Sequence, residues 1–172
     1  PRNQMPVLSG ASGGEIAESL APLLGMEHVV MESRRFPDGE SYVRVPLESI
    51  EAVRSETVVL VSNTFPDSGI MQTILLLGAI NDVRRGSLSS LKEEWKGGTD
   101  DVGPGVFLAI PYYGYARQDK RFSVGESISA RVVAELISDF CDGIVILDLH
   151  APEVLSEMSV PVEFVSSMKE IA

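Results

Sequence analysis

Apolar positions along this chain fall into two alternating textures. The first is the short continuous run: "MPVLS" (5–9), "TVVLVS" (57–62), "VFLAI" (106–110) and "GIVILDLH" (143–150). Runs of that length with flanking turn residues suit strands buried on both faces. "HVVM" (28–31) and "VPVEFV" (160–165) read as further short strands, and "SYVRV" (41–45) alternates as a half-exposed strand does. The second texture is helical spacing. Ile16, Leu20, Leu23 and Leu24 fall on one face of a segment that Ser12 and Glu15, three apart, would start as a capping box. Gly25 is a plausible stop, and Pro22 should end or kink this helix early. Ser68 to Arg85 reads as a long helix, and Ile128, Val132, Val133, Leu136, Ile137 and Phe140 repeat as a third. Apolar strands alternating with helices predict an α/β domain with a mainly parallel sheet flanked by helices.

Two stretches break the pattern. "RRFPDGE" (34–40) is a turn by composition, because Pro fixes one φ and Gly frees the next. Residues 86–104, rich in glycine and mixed charge, mark a loop or insertion, with one or two helical turns possible in "LSSLKEEW". No internal repeat or low-complexity tract is present. "SSMKEIA" at the end reads as a helix not yet finished, and Pro1 without a leading Met suggests a processed or trimmed start.

Composition narrows the class. The 172 residues suit one domain, and 44% apolar with 23% charged residues is ordinary for a globular protein. No run approaches the roughly 20 apolar residues that span a bilayer, so no membrane partner is expected. Cys141 is the single cysteine, which excludes an intrachain disulfide and fits a reducing cytoplasm. The net charge of −11 argues against a nucleic-acid partner. Any anion site must therefore be a local exception.

Ligands of open α/β sheets bind outside the carboxyl ends of the strands, and three residue groups fall there or in nearby turns. "ARQDKR" (116–121) follows "VFLAI". Arg117 offers a planar fork for phosphate oxygens, Gln118 an amide for a base or sugar, and Lys120 and Arg121 add charge. The alternative is a solvated loop with Asp119 as internal counterion. In "DLH", Asp148 and His150 stand two apart, on one face if the strand continues, and could hold a divalent ion. The alternative is an Asp–His pair capping a strand. In "FPDGE", Phe36 could stack on an adenine while Asp38 and Glu40, flanking Gly39, accept from its exocyclic amine. The alternative is a hairpin turn whose Phe is tucked into the core. His28, Trp95 and Cys141 read as structural. The three groups together describe a Mg-nucleotide site, although "SGASGG" (9–14) matches neither GxxxxGK[ST] nor GxGxxG.

The stretches "RRFPDGESYVR", "PYYGYARQDKRFSVGESISARVVAELI" and "VILDLHA" resemble the N-terminal half of the ribose-phosphate pyrophosphokinases. These enzymes are also called phosphoribosyl pyrophosphate synthetases. "SGASGGEIAESLAPLLG" is similar to the family's first helix, and the short "RFPDGE" is similar to archaeal members. The resemblance implies the first of two tandem phosphoribosyltransferase-type domains, over residues 1–172. It implies an ATP-dependent, Mg²⁺-requiring transfer of a diphosphoryl group to ribose 5-phosphate, in a cytoplasmic homo-oligomer of nucleotide biosynthesis. It places Phe36, Asp38, Gly39 and Glu40 about adenine, often across a subunit contact. Arg117, Gln118 and Asp119 would lie at ATP, and His150 with Asp148 at the metal. Two departures stand out. Residues 86–104 lengthen what is usually a short connection, and the family's catalytic lysine loop and DD-x-x-x-TGGT motif have no counterpart here. The resemblance thus implies no catalytic residue in this chain and no activity alone. A half-protein completed by a partner chain, and a non-catalytic regulatory homologue that keeps the nucleotide surface, are the alternatives.

Overall fold

The computed structural model describes residues 5–85, 103–149, 151–155 and 158–167. His150, and residues 86–102 of the segment read as an insertion, lie outside the described residues. The elements in order are β1 (Pro6–Ser9), α1 (Gly14–Leu23), β2 (Glu27–Val30), β3 (Glu32–Arg35), β4 (Ser41–Arg44), α2 (Ile50–Ser55) and β5 (Val58–Val61). Then come α3 (Asp67–Arg85), β6 (Val106–Ile110), α4 (Ser129–Ser138), β7 (Gly143–Leu147) and β8 (Val162–Val165). Six strands form one sheet in the order β2-β1-β5-β6-β7-β8, and every neighbouring pair is parallel. β3 and β4 form a separate antiparallel hairpin, and β4 packs against α3.

The continuous apolar runs of β1 and β5 are explained by burial from two sides. Leu8, Leu60, Leu108 and Ile144 stand in register across four strands. With Leu76, Leu77 and Ile80 of α3 and Ile137 of α4 they form the main core. Each such side chain contributes about 1.5–3 kcal/mol by leaving water. Val7 and Val61 belong to the opposite face, packed with Ala17 and Ala21 of α1. Along that second face, Phe107 and Val145 are more than a third exposed and Val165 is half exposed.

Three expectations need correction. The capping box does not form: Gly13, at φ 87°, precedes α1, and no side chain caps it. Ser12 Oγ instead accepts the Asn63 N–H at 3.2 Å. The helix also buries different residues. Leu23 is 83% exposed and Ile16 and Leu24 nearly half, whereas Ala17 and Ala21 are buried. A Cβ on Gly13 would meet the Val61 carbonyl oxygen at 2.8 Å. α1 therefore starts in direct contact with β5, and at so close an approach only small residues fit against the sheet. Finally, β7 ends at Leu147, and Asp148 has φ 49°. The alternation of side chains thus stops before "DLH", and strand geometry does not set the direction of the Asp148 side chain.

Candidate functional site

The carboxyl ends of β5, β6 and β7 are adjacent, and the loops that leave them are tied to one another. Asn63 Oδ1 accepts the Tyr112 N–H at 2.9 Å, and the Thr64 N–H donates to the Tyr112 carbonyl at 3.2 Å. Thr64 Oγ1 accepts the Gly114 N–H at 2.9 Å. No other residue fits at 114, because a Cβ there would lie 2.1 Å from the Thr64 carbonyl oxygen. The next residue, Tyr115, adopts φ 64°, and its hydroxyl donates to Asp67 Oδ1 at 2.5 Å. That bond raises the Tyr115 pKa above the ordinary phenol value, with lesser contributions from burial and from the Asp67 charge. Tyr113 is buried and donates to the Ala130 carbonyl at 2.6 Å. The Gln118 carbonyl accepts the Ala130 N–H, which joins the loop to the start of α4. The backbone of 112–118 is thereby held on both sides.

This arrangement lines a cleft of about 920 Å³, within the roughly 300–1,000 Å³ usual for small-molecule sites. Arg117, Gln118, Asp119 and Lys120 line one part, Leu147, Asp148 and Leu149 another, and Phe65, Tyr112 and Phe122 supply rings. Among the described residues neither Arg117 nor Lys120 has a carboxylate partner. The Lys120 ammonium lies 5.3 Å from the Phe122 ring centre. Arg121 is committed elsewhere, donating through Nε to the Glu126 carbonyl at 2.8 Å. The Glu126 carboxylate accepts the N–H groups of Phe122 and Ser123, which lower its pKa. A second cleft, beside α4, is lined by Val132, Glu135, Leu136 and Asp139. It offers carboxylates and no cation, which suits a polyphosphate poorly.

Asp148 is exposed on the cleft wall. Its carboxylate accepts hydrogen bonds from the Ser167 hydroxyl and, at 2.8 Å, from the Ser167 N–H. These bonds, the hydroxyl's first, hold its pKa below the usual carboxylate value. The group is thus ionised at neutral pH and keeps lone pairs for a cation. Among the described residues no three His, Cys, Asp or Glu side chains gather as a metal cage. A single ionised carboxylate does fit Mg²⁺, which keeps water ligands and takes only one or two from protein.

Phe36, Asp38, Gly39 and Glu40 form the tip of the β3–β4 hairpin, and none of them lines the cleft. Phe36 N–H donates to the Glu40 carbonyl, Gly39 has φ 94°, and the Asp38 carboxylate accepts the Glu40 N–H. The Phe36 ring is 38% exposed and meets Tyr42 edge-to-face at 5.8 Å. Arg34 lies over both rings. The turn is therefore rigid and its aromatic ring is accessible rather than buried in the core. The sequence reading missed Phe65 and Tyr112; their position directly after apolar strand runs was the available signal. His28 is structural as expected, with Nε2 2.8 Å from Ser9 Oγ.

The model of the N-terminal domain of ribose phosphate pyrophosphokinase matches residues 5–90 and 105–140. This chain belongs to that family. A ribose-phosphate pyrophosphokinase of Methanopyrus kandleri is 34% identical over 169 residues, covering 97% of this chain and 50% of the relative. That of Saccharolobus solfataricus is 31% identical over 171 residues, covering 98% and 51%. That of Thermoplasma volcanium is 32% identical over 152 residues, covering 88% and 46%. The chain spans about half the length of these ribose-phosphate pyrophosphokinases. In three dimensions it is similar to the crystal structure of phosphoribosylpyrophosphate synthetase from Mycobacterium smegmatis. The TM-score is 0.75 at 24% identity, over 98% of this chain and 50% of that one. This likeness supports the fold: a parallel sheet flanked by helices, as the sequence predicted.

Proposed function

We propose that this chain is the ATP-binding half of a ribose-phosphate diphosphokinase. That enzyme moves the diphosphoryl group of ATP to ribose 5-phosphate and makes phosphoribosyl pyrophosphate for nucleotide biosynthesis in the cytoplasm. The observation that carries the reading is the shared cleft of Arg117, Gln118, Asp119, Lys120 and Asp148. In an anionic chain, two cations that have no carboxylate partner among the described residues, at the ends of parallel strands, are the expected signature of a phosphate site. The guanidinium of Arg117 grips phosphate oxygens in pairs, and Lys120 adds a mobile charge. Gln118 would hydrogen-bond the sugar or base, with Asp119 beside it in the cleft.

Asp148 would hold Mg²⁺ together with the nucleotide's phosphates, and His150 is its proposed companion. The ion, when bound, supplies positive charge where negative charge grows during phosphoryl transfer. This chain's own residues contribute positioning and charge stabilisation, not a covalent nucleophile. Ribose 5-phosphate binding and turnover fall to residues outside this chain. Phe36, Asp38, Gly39 and Glu40, being outside the cleft, would reach the adenine of a neighbouring copy, which makes the working form a homo-oligomer.

Calorimetry with ATP and Mg²⁺ tests the reading. The chain should bind ATP weakly and form no phosphoribosyl pyrophosphate from ATP and ribose 5-phosphate. Arg117→Ala removes a charged hydrogen-bond donor, a loss of about 1.5–3 kcal/mol, or about 10- to 150-fold in affinity. Unchanged affinity would show that the cluster is a solvated loop.

A further inference from the structure

Among the described residues two that are not glycine adopt a left-handed backbone, Tyr115 and Asp148. Asp148 serves the metal position, whereas phosphate binding as described gives Tyr115 no task. A tyrosine at φ 64° is sterically costly and persists only where surrounding contacts impose it. Tyr115 opens a turn that the Gln118 N–H closes by donating to the Tyr115 carbonyl at 2.9 Å, so Ala116 and Arg117 are its central residues. One end of this turn is tied to α4, because the Gln118 carbonyl accepts the Ala130 N–H at 3.2 Å. The other end is tied to α3, because the Tyr115 hydroxyl donates to Asp67 Oδ1 at 2.5 Å. That length belongs to a charge-assisted O–H···O⁻ bond. Asp67 is the first residue of α3, where the helix dipole favours a carboxylate. The bond raises the Tyr115 pKa, so the hydroxyl keeps its proton at neutral pH. Glycine would meet the φ at less cost, but only a side chain that reaches Asp67 anchors the turn to α3.

We propose that Tyr115 and Asp67 are positioning residues for the polyphosphate, a strut from α3 that sets where the turn presents Arg117. The inference rests on the phosphate reading of the cleft and extends it to Asp67, which does not line the cleft. A guanidinium grips phosphate oxygens in pairs only in a narrow geometry. A shift of the turn therefore costs affinity, although neither strut residue is a cation. The sign of the Asp67 effect separates the strut from plain electrostatics. A carboxylate repels a nearby polyanion, so removing Asp67 strengthens ATP binding if charge alone acts. If the strut acts, removing it weakens ATP binding.

The test is calorimetry of ATP and of inorganic tripolyphosphate, each with Mg²⁺, on the 172-residue chain and its variants. These are Tyr115→Phe, Asp67→Ala, Asp67→Asn, the Tyr115→Phe/Asp67→Ala double variant and Arg117→Ala. Phenylalanine keeps the ring packed on the core, and Asp67 is exposed, so the fold should hold; unchanged melting temperatures check this. Tyr115→Phe and Asp67→Ala should each weaken both ligands about three- to tenfold, as the loss of one hydrogen bond does. Asp67→Asn drops the charge but keeps an acceptor oxygen, so it should bind within about twofold of the parent. The double variant should be no weaker than either single one, because one bond is lost only once. Asp67→Ala binding ATP as tightly as the parent or more tightly, with Arg117→Ala still weaker, would overturn the strut and leave the phosphate site standing. Asp67→Asn as weak as Asp67→Ala would overturn it too, since the acceptor would then not be what matters. So would losses that add in the double variant, since Tyr115 would then meet the ligand itself. ATP binding indifferent to Arg117→Ala would remove the strut and the phosphate reading together.

Discussion

Gly114→Ala is the perturbation whose effect the geometry fixes most closely. The added Cβ would sit 2.1 Å from the Thr64 carbonyl oxygen and 3.0 Å from its carbon. Both are backbone atoms, so no rotamer change relieves the overlap. The loops after β5 and β6 must separate, which stretches or breaks the 2.9 Å bond from the Gly114 N–H to Thr64 Oγ1. Overpacking costs about 1–3 kcal/mol and the hydrogen bond about 0.5–1.5 kcal/mol, so about 2–4 kcal/mol is expected in all. Urea unfolding reads this directly. At a slope of about 2 kcal/mol per molar, a loss of about 3 kcal/mol moves the midpoint down by about 1.5 M. Gly39→Ala is the comparison: Gly39 has φ 94° and no atom near a Cβ. Its cost is backbone strain alone, about 1–2 kcal/mol, at the hairpin tip and away from the cleft. A Gly114→Ala midpoint within about 0.25 M of the parent, at the slope of a domain this size, would refute the reasoning.

Two further predictions come from ionisation. The Asp148 carboxylate has a folded pKa below its ordinary value because of Ser167. Its contribution to holding Ser167 is present above the unfolded pKa, about 3.9, and is lost as pH falls through the folded one. The Ser167 amide resonance should therefore titrate with a midpoint below about 3.9, and a midpoint at or above that value would contradict the hydrogen bonds. Burial pushes the Cys141 thiol up to about 11, and it is enclosed by the core. A disulfide reagent at pH 8 should label it only on unfolding, whereas labelling of the native chain at the rate of a free thiol would show that the site opens.

The parts of this fold legible in the sequence are those governed by burial on two sides. "TVVLVS" and "VFLAI" read as strands because β5 and β6 lie inside the sheet, with a strand on either side and one face buried in the main core. The Pro-Asp-Gly turn was legible because its φ demands are local. α1 was legible as a helix, but its buried face was misplaced: Ala17 and Ala21 are buried, with Leu20 packed beside them, at a close approach near Gly13 that no periodicity reports. α2, six residues long, is too short to show a period. At the candidate site, the basic segment after β6 was legible as a charge anomaly. The direction of Asp148 was not, because a left-handed non-glycine residue interrupts the alternation. Phe65 and Tyr112 come together only through the adjacency of β5 and β6, a tertiary fact.

The central claim is that a polyphosphate binds where the ends of β6 and β7 meet. The most direct measurement is an amide chemical-shift map of the chain as ATP and Mg²⁺ are added. The account predicts that the largest shifts fall on residues 114–120 and 147–149, while Val132, Glu135 and Asp139 in the acidic cleft beside α4 stay still. Shifts centred on that acidic cleft, or none at saturating ATP, would contradict it.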